Sequence, residues 1–365
     1  MPAGGRDGNQ TGGIEIGGRG GRALAQGAEA VMRRAGLALV ALLGLVACGG
    51  SSASGAPAQS TGTATVHVVV LEGTQLFPVE IMQQQGIAGR HGLKLNVTKL
   101  SGPQAVDTAE QNGDFDIAFN SWLTVALFRQ HGIGVSNVYS MYGFTNDVLV
   151  KKDSPIQSFA DLKGKRIGLF GGPTGGTTTL FRLICVKYDG FDPVKDAQVQ
   201  YGAPPLLVNA LNRGSLDAVQ LLDPVIVSEL ETGTVRSIGN IGDIWRQKTG
   251  QDPMLVAINV RDSWAAQHAD VVRRFILAFR EAVQYLRTHR DVWPRLAASV
   301  GITSSDGVKL LEQRTASHFL TEWNPRFIAA QKAYAAQVFQ TLGNVQGVPT
   351  SIPSGTFNTA YAPGS

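Results

Sequence analysis

PQAVDTAEQNGDFDIAF at residues 103–119 and PPLLVNALNRGSLDAVQ at residues 204–220 share one frame. Each begins with proline, reaches a glycine ten positions later and an aspartate three positions after that, and then becomes apolar. Proline favours the first turn of a helix, glycine ends a helix in a left-handed turn, and aspartate caps a turn. The repeat therefore predicts one helix–turn–strand unit in each of two similar lobes, which gives Asp116 and Asp217 a structural role rather than a catalytic one.

The sequence on either side of these units continues to alternate between strand and helix patterns. β-branched or alternating apolar runs predict strands, and helical spacing of apolar residues separates them. The strands are predicted at 66–71, 93–100, 115–119, 147–150, 166–170, 197–201 and 218–222. This order predicts an α/β fold with parallel-rich sheets covered by helices. From residue 263 onward the pattern is helical, and 270–287 carries one apolar face.

The residues before the first strand have the layout of a secretory signal. Met32-Arg33-Arg34 precedes an apolar run that ends at Ala47, which is shorter than the about 20 residues a membrane-spanning helix needs. The stretch LVACG at 45–49 resembles the lipobox of bacterial lipoproteins, in which the cysteine thiol is acylated. The sequence thus predicts a signal peptide over 32–48 with a lipid on Cys48.

Two further segments flank this signal. A signal begins near its start methionine, so we expect residues 1–31 to be an over-extended start and Met32 to be the initiator. Residues 49–63 are rich in Gly, Ser, Ala and Thr, a composition that buries too little surface to fold, and they are predicted to be a flexible linker. The Gly/Pro/Ser/Thr-rich residues 344–365 are predicted to be a loose tail.

Composition and motif spacing argue against several classes of function. The net charge is +4, but the Lys and Arg residues are scattered and form no basic run, which argues against nucleic-acid binding. The two cysteines cannot form a disulfide framework, and Cys185 lies in a helical apolar pattern typical of a core thiol. No HExxH or GxSxG motif occurs, and the glycine loop at 171–176 lacks the lysine of a phosphate-binding loop. We therefore predict no catalytic residue, no metal site and no cofactor.

Short motifs follow one another in a fixed order: QGI at 85–87, HGL at 91–93, SGP at 101–103, GDFDI at 113–117, KKDS at 151–154, FADLKGK at 159–165, GGT at 175–177 and GSLDAV at 214–219. This order resembles the substrate-binding proteins of nitrate, sulfonate and taurine ABC transporters, a family also named for thiamine-pyrimidine-precursor binders. The resemblance implies the two-lobe periplasmic-binding-protein fold of type II. Lobe 1 would contain 64–146 with returning helices in 257–343, and lobe 2 would contain 147–256.

The resemblance also implies what the protein does. It implies a monomeric receptor, lipid-anchored at the cell envelope, that binds a small solute such as a sulfonate or taurine and delivers it to a permease with a cytoplasmic ATPase. A pyrimidine-like ligand and a surface-sensor role stay open as alternatives. An envelope enzyme is a further alternative, although the pyrimidine-forming relatives carry clustered Cys and His that this chain lacks.

The ligand site is expected between the lobes, where strand ends meet helix N-termini with free N–H groups. Short polar residues and glycines at these turns are the candidate contacts, although each also suits an ordinary cap or turn. Phe77 is a candidate stacking surface. The resemblance implies that the chain crosses between the lobes near 146–150 and 250–256, and Thr145 and Asn146 lie at the first of these crossovers. The full candidate set is Thr74, Gln75, Phe77, Ser101, Gly102, Asn120, Ser121, Thr145, Asn146, Gly175, Gly176, Thr177 and Asp223.

Two acidic residues bear on the charge of the ligand. If Glu80 and Asp223 both face the cleft, they oppose a bare anion such as nitrate and suit a zwitterion or an amino-bearing heterocycle. A solvated helix face is the alternative position for Glu80.

Overall fold

The computed structural model describes residues 62–344 and 347–363. The predicted segments 1–31 and 32–48, Cys48, and all but the end of 49–63 lie outside the described residues. Within the described residues, no helix combines the length and the apolar character that crossing a bilayer requires.

In this part of the chain ten strands form two five-stranded sheets: β1 (Ala64–Leu71), β2 (Leu93–Leu100), β3 (Ile117–Ser121), β4 (Val135–Gly143), β5 (Asp147–Lys151), β6 (Arg166–Leu169), β7 (Gln198–Tyr201), β8 (Ala218–Leu221), β9 (Val235–Asn240) and β10 (Met254–Arg261). The α-helices between and after them are α1 (Phe77–Gln84), α2 (Ile87–Arg90), α3 (Pro103–Asn112), α4 (Trp122–Gln130), α5 (Gly176–Ile184), α6 (Pro193–Asp196), α7 (Pro204–Asn212), α8 (Val225–Glu231), α9 (Ile241–Thr249), α10 (Asp262–Gln267), α11 (Ala269–Thr288), α12 (Trp293–Ser299), α13 (Ser305–Ala316) and α14 (Pro325–Leu342).

The two sheets have equivalent strand orders, β2-β1-β3-β10-β4 and β7-β6-β8-β5-β9. The first three strands of each sheet pair in parallel. The strand that has crossed from the other sheet, β10 or β5, pairs antiparallel with both of its neighbours. The predicted α/β class with parallel-rich sheets is confirmed.

The repeated sequence frame occupies equivalent places in the two sheets. The Asp116 carboxylate accepts a hydrogen bond from the His67 N–H at 2.9 Å, and the Asp217 carboxylate accepts one from the Arg166 N–H at 2.8 Å. Each aspartate thus joins the start of its strand to the strand beside it. Gly113 and Gly214, which precede these strands, have positive φ angles of 75° and 74° that suit glycine.

The chain passes between the sheets twice. The first passage is short, through residues 144–146, and the second runs through α9 to the start of β10. The sequence predicts that lobe 2 extends to 256, whereas β10 already belongs to the first sheet from Met254 onward. The reason is tertiary: the Met254 carbonyl accepts from Trp122 Nε1 at 2.8 Å, and the Met254 N–H donates to Gln331 Oε1 at 2.9 Å.

The returning helices complete the core around the first sheet. On α11, Phe275 and Phe279 place their rings 6.2 and 6.1 Å from the ring of Phe119 on β3. Burial of such aromatic side chains against a sheet contributes several kcal/mol of hydrophobic stabilisation.

The prediction of a loose tail at 344–365 is wrong for residues 347–363. The carbonyl of Thr356 accepts from the backbone N–H of Asn137 at 3.0 Å and from its Nδ2 at 2.8 Å. The ring of Phe357 packs 5.3 Å from that of Trp122. The prediction rested on composition alone, which contains no information on the unpaired backbone groups that the edge strand β4 offers to this segment.

We expect Phe357→Ala to lower the free energy of unfolding by about 2 kcal/mol, because the substitution removes a half-buried ring and its contact with Trp122. Urea unfolding followed by circular dichroism measures this loss. Leu206→Ala, which truncates a side chain that is 50% exposed, is the control and is expected to stay within about 0.5 kcal/mol of wild type. Equal stability of the two variants would show that packing of the Phe357 ring contributes nothing to the stability of the fold.

Candidate functional site

A cavity of about 210 Å³ lies between the two sheets. One wall is built by the end of β3 and by α3 and α4, and the other by the loop that precedes α5. We call it the cleft cavity, and its lining is Leu71, Gln75, Pro103, Gln104, Val106, Asp107, Gln111, Phe119, Asn120, Ser121, Thr124, Leu127, Phe128, Gly171, Thr174, Gly175, Gly176, Thr177, Leu255, Val256 and Gly347.

The two walls approach each other at glycines. A Cβ atom on Gly176 would lie 3.2 Å from Ser121 Oγ and 2.8 Å from Leu255 Cδ1, both on the opposite wall. A Cβ atom on Gly175 would lie 2.4 Å from the carbonyl oxygen of Gly171, a distance that real Cβ atoms do not tolerate. The absence of side chains at both positions therefore lets the backbone itself face the cavity.

The N-terminus of α5 supplies hydrogen-bond donors to this wall. The N–H groups of the first turn of a helix have no intrahelical acceptor, and Gly175 at the N-cap has no side chain that could accept from them. The hydroxyls of Thr177 and Thr178 donate to the carbonyls of Phe170 and Gly172 at 3.1 and 2.7 Å. These threonines shape the loop, while its backbone N–H groups and the helix dipole suit an anion or another acceptor.

Asn120 organises the opposite wall. Its Nδ2 donates to Asp107 Oδ1 at 2.8 Å and to Glu110 Oε2 at 2.5 Å. Its own Oδ1 accepts from the Ser121 N–H at 2.7 Å, which turns the chain from β3 into α4. The Oγ of Ser121 has no hydrogen-bond partner among the described residues.

Asp107 and Glu110 lie one helical turn apart on α3 and form an acidic pair behind Asn120. Burial raises the pKa of Glu110 to about 8, the charge of Asp107 adds to this rise, and the bond from Asn120 opposes it. Burial also raises the pKa of Asp107. Neither acid was predicted from the sequence as a site residue, although their i, i+3 spacing after Pro103 indicates that they share one helix face.

Several predicted site residues come together at the cleft cavity. Those that line it are Gln75, Asn120, Ser121, Gly175, Gly176 and Thr177. Ser101 and Gly102 directly precede the lining residues Pro103 and Gln104. Thr74 is buried next to Gln75, and a hydrogen bond of 3.0 Å joins its hydroxyl to that of Tyr142.

Other predicted site residues lie away from the cavity lining. The ring of Phe77 is buried edge-on against Trp293 at 6.0 Å, so it belongs to the core rather than to a stacking surface. Asn146 is buried and donates from Nδ2 to the carbonyl of Leu221 at 3.1 Å. Both positions were selected by chain order, which does not reveal which way a side chain packs.

Thr145 and Asp223 belong to a second polar group, the hinge cluster, formed by Arg314, Asp147, Asp223 and the Thr145 carbonyl. Arg314 on α13 donates from Nε to Asp223 Oδ1 at 2.9 Å and from Nη2 to Asp147 Oδ1 at 2.8 Å. The same Nη2 lies 3.4 Å from the Thr145 carbonyl oxygen. Asp223 therefore neutralises an arginine beside the first passage between the sheets, and it is 1% exposed.

Glu80 and Asp223 do not both face the cleft cavity, so the condition under which they would favour a zwitterion or an amino-bearing heterocycle is not met. Glu80 forms an ion pair with Lys99 at 3.2 Å, and Asp223 is paired with Arg314. Neither carboxylate lines the cleft cavity.

The other groups that could carry chemistry are metal ligands and the thiol of Cys185. Among residues 62–344 and 347–363, no group of three or more His, Cys, Asp or Glu side chains is placed to hold a metal ion. Cys185 is a free thiol, and it is buried, as was predicted for a core position. This burial raises its pKa.

We expect Gly176→Asp to weaken ligand binding by about tenfold or more, because a carboxylate would fill the gap and place negative charge at the α5 N-terminus. Calorimetric titration measures the affinity, and the melting temperature checks the fold. Gly89→Asp is the matched control, because a Cβ atom there meets nothing within 4 Å. Wild-type affinity in the Gly176 variant would place the ligand elsewhere.

Two α/β lobes, two passages between their sheets and a cavity between them define a two-lobe binding-protein fold. The solved structure of the alkanesulfonate-binding protein SsuA from Xanthomonas axonopodis pv. citri bound to MOPS has this fold, with a TM-score of 0.65 and 18% identity over 82% of this chain and 100% of that chain. The family model described as NMT1/THI5 like matches residues 74–291, and the chain belongs to that family. The family resemblance drawn from the sequence motifs is confirmed.

Curated relatives fall into two kinds. The taurine-binding periplasmic protein of Escherichia coli (strain K12) is 26% identical over 260 residues, which cover 68% of this chain and 78% of the relative. The 4-amino-5-hydroxymethyl-2-methylpyrimidine phosphate synthase of Aspergillus parasiticus is 23% identical over 218 residues, which cover 57% of this chain and 62% of the enzyme. The relatives of this chain thus include a binding protein and an enzyme.

Proposed function

We propose that this chain is an extracytoplasmic solute-binding protein of an ABC importer and that it captures a small organic solute of the sulfonate or taurine class. The observation that carries this proposal is the cleft cavity, which takes its lining from both lobes and faces the N-terminus of α5. At about 210 Å³ the cavity is smaller than the roughly 300 Å³ at which sites for drug-sized ligands begin, and it suits a small solute.

Binding is proposed to close the two lobes on the solute. Closure requires ligand contacts to both lobes, because only differential affinity for the closed state shifts the equilibrium. Asn120 and Ser121 offer contacts from lobe 1, and Gly175, Gly176 and Thr177 offer them from lobe 2. The closed form then presents a joint surface to the permease, whose cytoplasmic ATPase drives transport.

The proposal includes tethering of the protein, as a monomer, to the cell envelope through a lipid on Cys48. The lipobox-like stretch at 45–49 supports it. Expression of Cys48→Ala beside wild type, with a radiolabelled fatty acid, tests the anchor. Label and membrane association in wild type alone support the anchor, whereas equal label in both chains contradicts it.

Binding without turnover is the central test of the transport role. The purified full chain is titrated by calorimetry with taurine, alkanesulfonates, nitrate and a thiamine-precursor pyrimidine. We expect one site per chain for a sulfonate, with the bound compound recovered unchanged by mass spectrometry. Chemical conversion of the compound would support an enzyme, and binding of the pyrimidine alone would favour the second candidate ligand.

A further inference from the structure

The charge of the cleft cavity is negative on one wall. Among the described residues that line the cavity, Asp107 is the only one with a charged side chain, and the lining holds no Lys, Arg or His. An anion that enters this cavity therefore meets a carboxylate without a cationic side chain to offset it. Burial of like charges in a narrow cleft opposes binding.

Asp107 has unused hydrogen-bonding capacity. Its Oδ1 accepts from Asn120, while its Oδ2 has no hydrogen-bond partner among the described residues. The side chain is only half-buried, so it lies within reach of a solute in the cavity. A carboxylate in this position is an acceptor for a charged N–H donor.

Glu110 is a second acid on this wall that has no cationic partner among the described residues. It is 1% exposed, its Oε2 accepts from Asn120, and its Oε1 has no partner among the described residues. A buried acid that meets no cation favours its protonated form, so the negative charge of this wall is that of the half-buried Asp107 rather than that of Glu110. A positive group beside Asp107 would compensate that charge.

The opposite wall has the reverse polarity. The first turn of α5 presents backbone N–H groups and the positive end of the helix dipole at Gly175 and Gly176. A solute with a cationic end and an acceptor end therefore matches both walls at once. A solute with only an anionic end matches one wall and is repelled by the other.

We propose that the cleft selects solutes that carry a protonated amino group, that Asp107 is the residue that receives this group, and that anions without an amine are rejected. The inference rests on the proposed function, since it concerns the same cavity. It assigns the specificity to a residue other than Glu80 and Asp223. It also separates this chain from a receptor for simple aliphatic sulfonates.

Two probes that differ in one polar group test the proposal. Taurine and isethionate are both two-carbon sulfonates, and they carry an amino and a hydroxyl group, respectively, at the other end. Calorimetric titration of the full wild-type chain is expected to show an affinity for taurine that is about 30-fold or more higher than that for isethionate, because only the amino group of taurine forms a desolvated charge pair with Asp107. Asp107→Asn keeps the shape and the bond to Asn120, and it is expected to reduce this preference to about threefold or less.

Glu80→Gln is the matched control, because it removes a carboxylate that is paired with Lys99 outside the cavity, and we expect it to keep the wild-type preference. Melting temperatures of both variants check that they are folded. Equal affinity of wild type for the two probes, or an unchanged preference in the Asp107 variant, overturns the inference and leaves the proposed function standing. Failure of wild type to bind any sulfonate, with or without an amine, overturns the proposed function itself.

Discussion

Arg314→Leu is expected to lower the free energy of unfolding by about 3–5 kcal/mol, because it leaves two buried carboxylates without their cation. The side chains of Asp147 and Asp223 are 3% and 0% exposed, and both bond to this guanidinium. Without it they would repel each other in a site that water scarcely reaches. Urea unfolding at pH 7, followed by circular dichroism, measures the loss.

Two further variants separate charge pairing from packing. Arg314→Lys restores the charge but not the two-sided hydrogen bonding, so we expect an intermediate loss. Arg314→Leu combined with Asp223→Asn removes one of the stranded charges and is expected to recover part of the stability. A loss below about 1 kcal/mol in Arg314→Leu alone would contradict a structural role for the hinge cluster.

The pH dependence of stability is expected to carry a large contribution from Glu110. Its pKa is about 8 in the folded protein, against the ordinary 4.5 of an exposed glutamate. The folded state therefore binds more protons than the unfolded state between these values, and stability falls as the pH rises from about 4.5 to about 8. The slope that one such group adds is at most about 1.4 kcal/mol per pH unit.

Glu110→Gln removes this titration while its amide oxygen can still accept from Asn120. We expect the difference in unfolding free energy between variant and wild type to grow in favour of the variant from pH 5 to pH 8, as measured by urea unfolding at each pH. Glu322→Gln, which changes an exposed carboxylate, should follow the wild-type profile. Parallel profiles for Glu110→Gln and wild type would show that Glu110 ionises normally.

The α/β class, the two lobes and the repeated unit were predictable because they follow from local pattern. Proline, glycine and aspartate at fixed spacing around Gly113 and Gly214 act on the residues next to them in the chain. The position of Asn120, Ser121 and residues 175–177 in the lining of the cleft cavity was predictable for a related reason. These residues sit where a strand ends and a helix begins, which is the edge of a parallel sheet that faces a cleft.

Tertiary structure alone decided which charges meet. Arg314 lies 167 positions from Asp147, and no periodicity in the sequence connects them. The same holds for the tail, where Thr356 pairs with Asn137 across 219 positions. Local geometry fixes helices, strands and turns over a few residues. The pairing of Asp223 with Arg314 and the docking of the tail on β4 depend on contacts between distant parts of the chain, which form only in the folded protein.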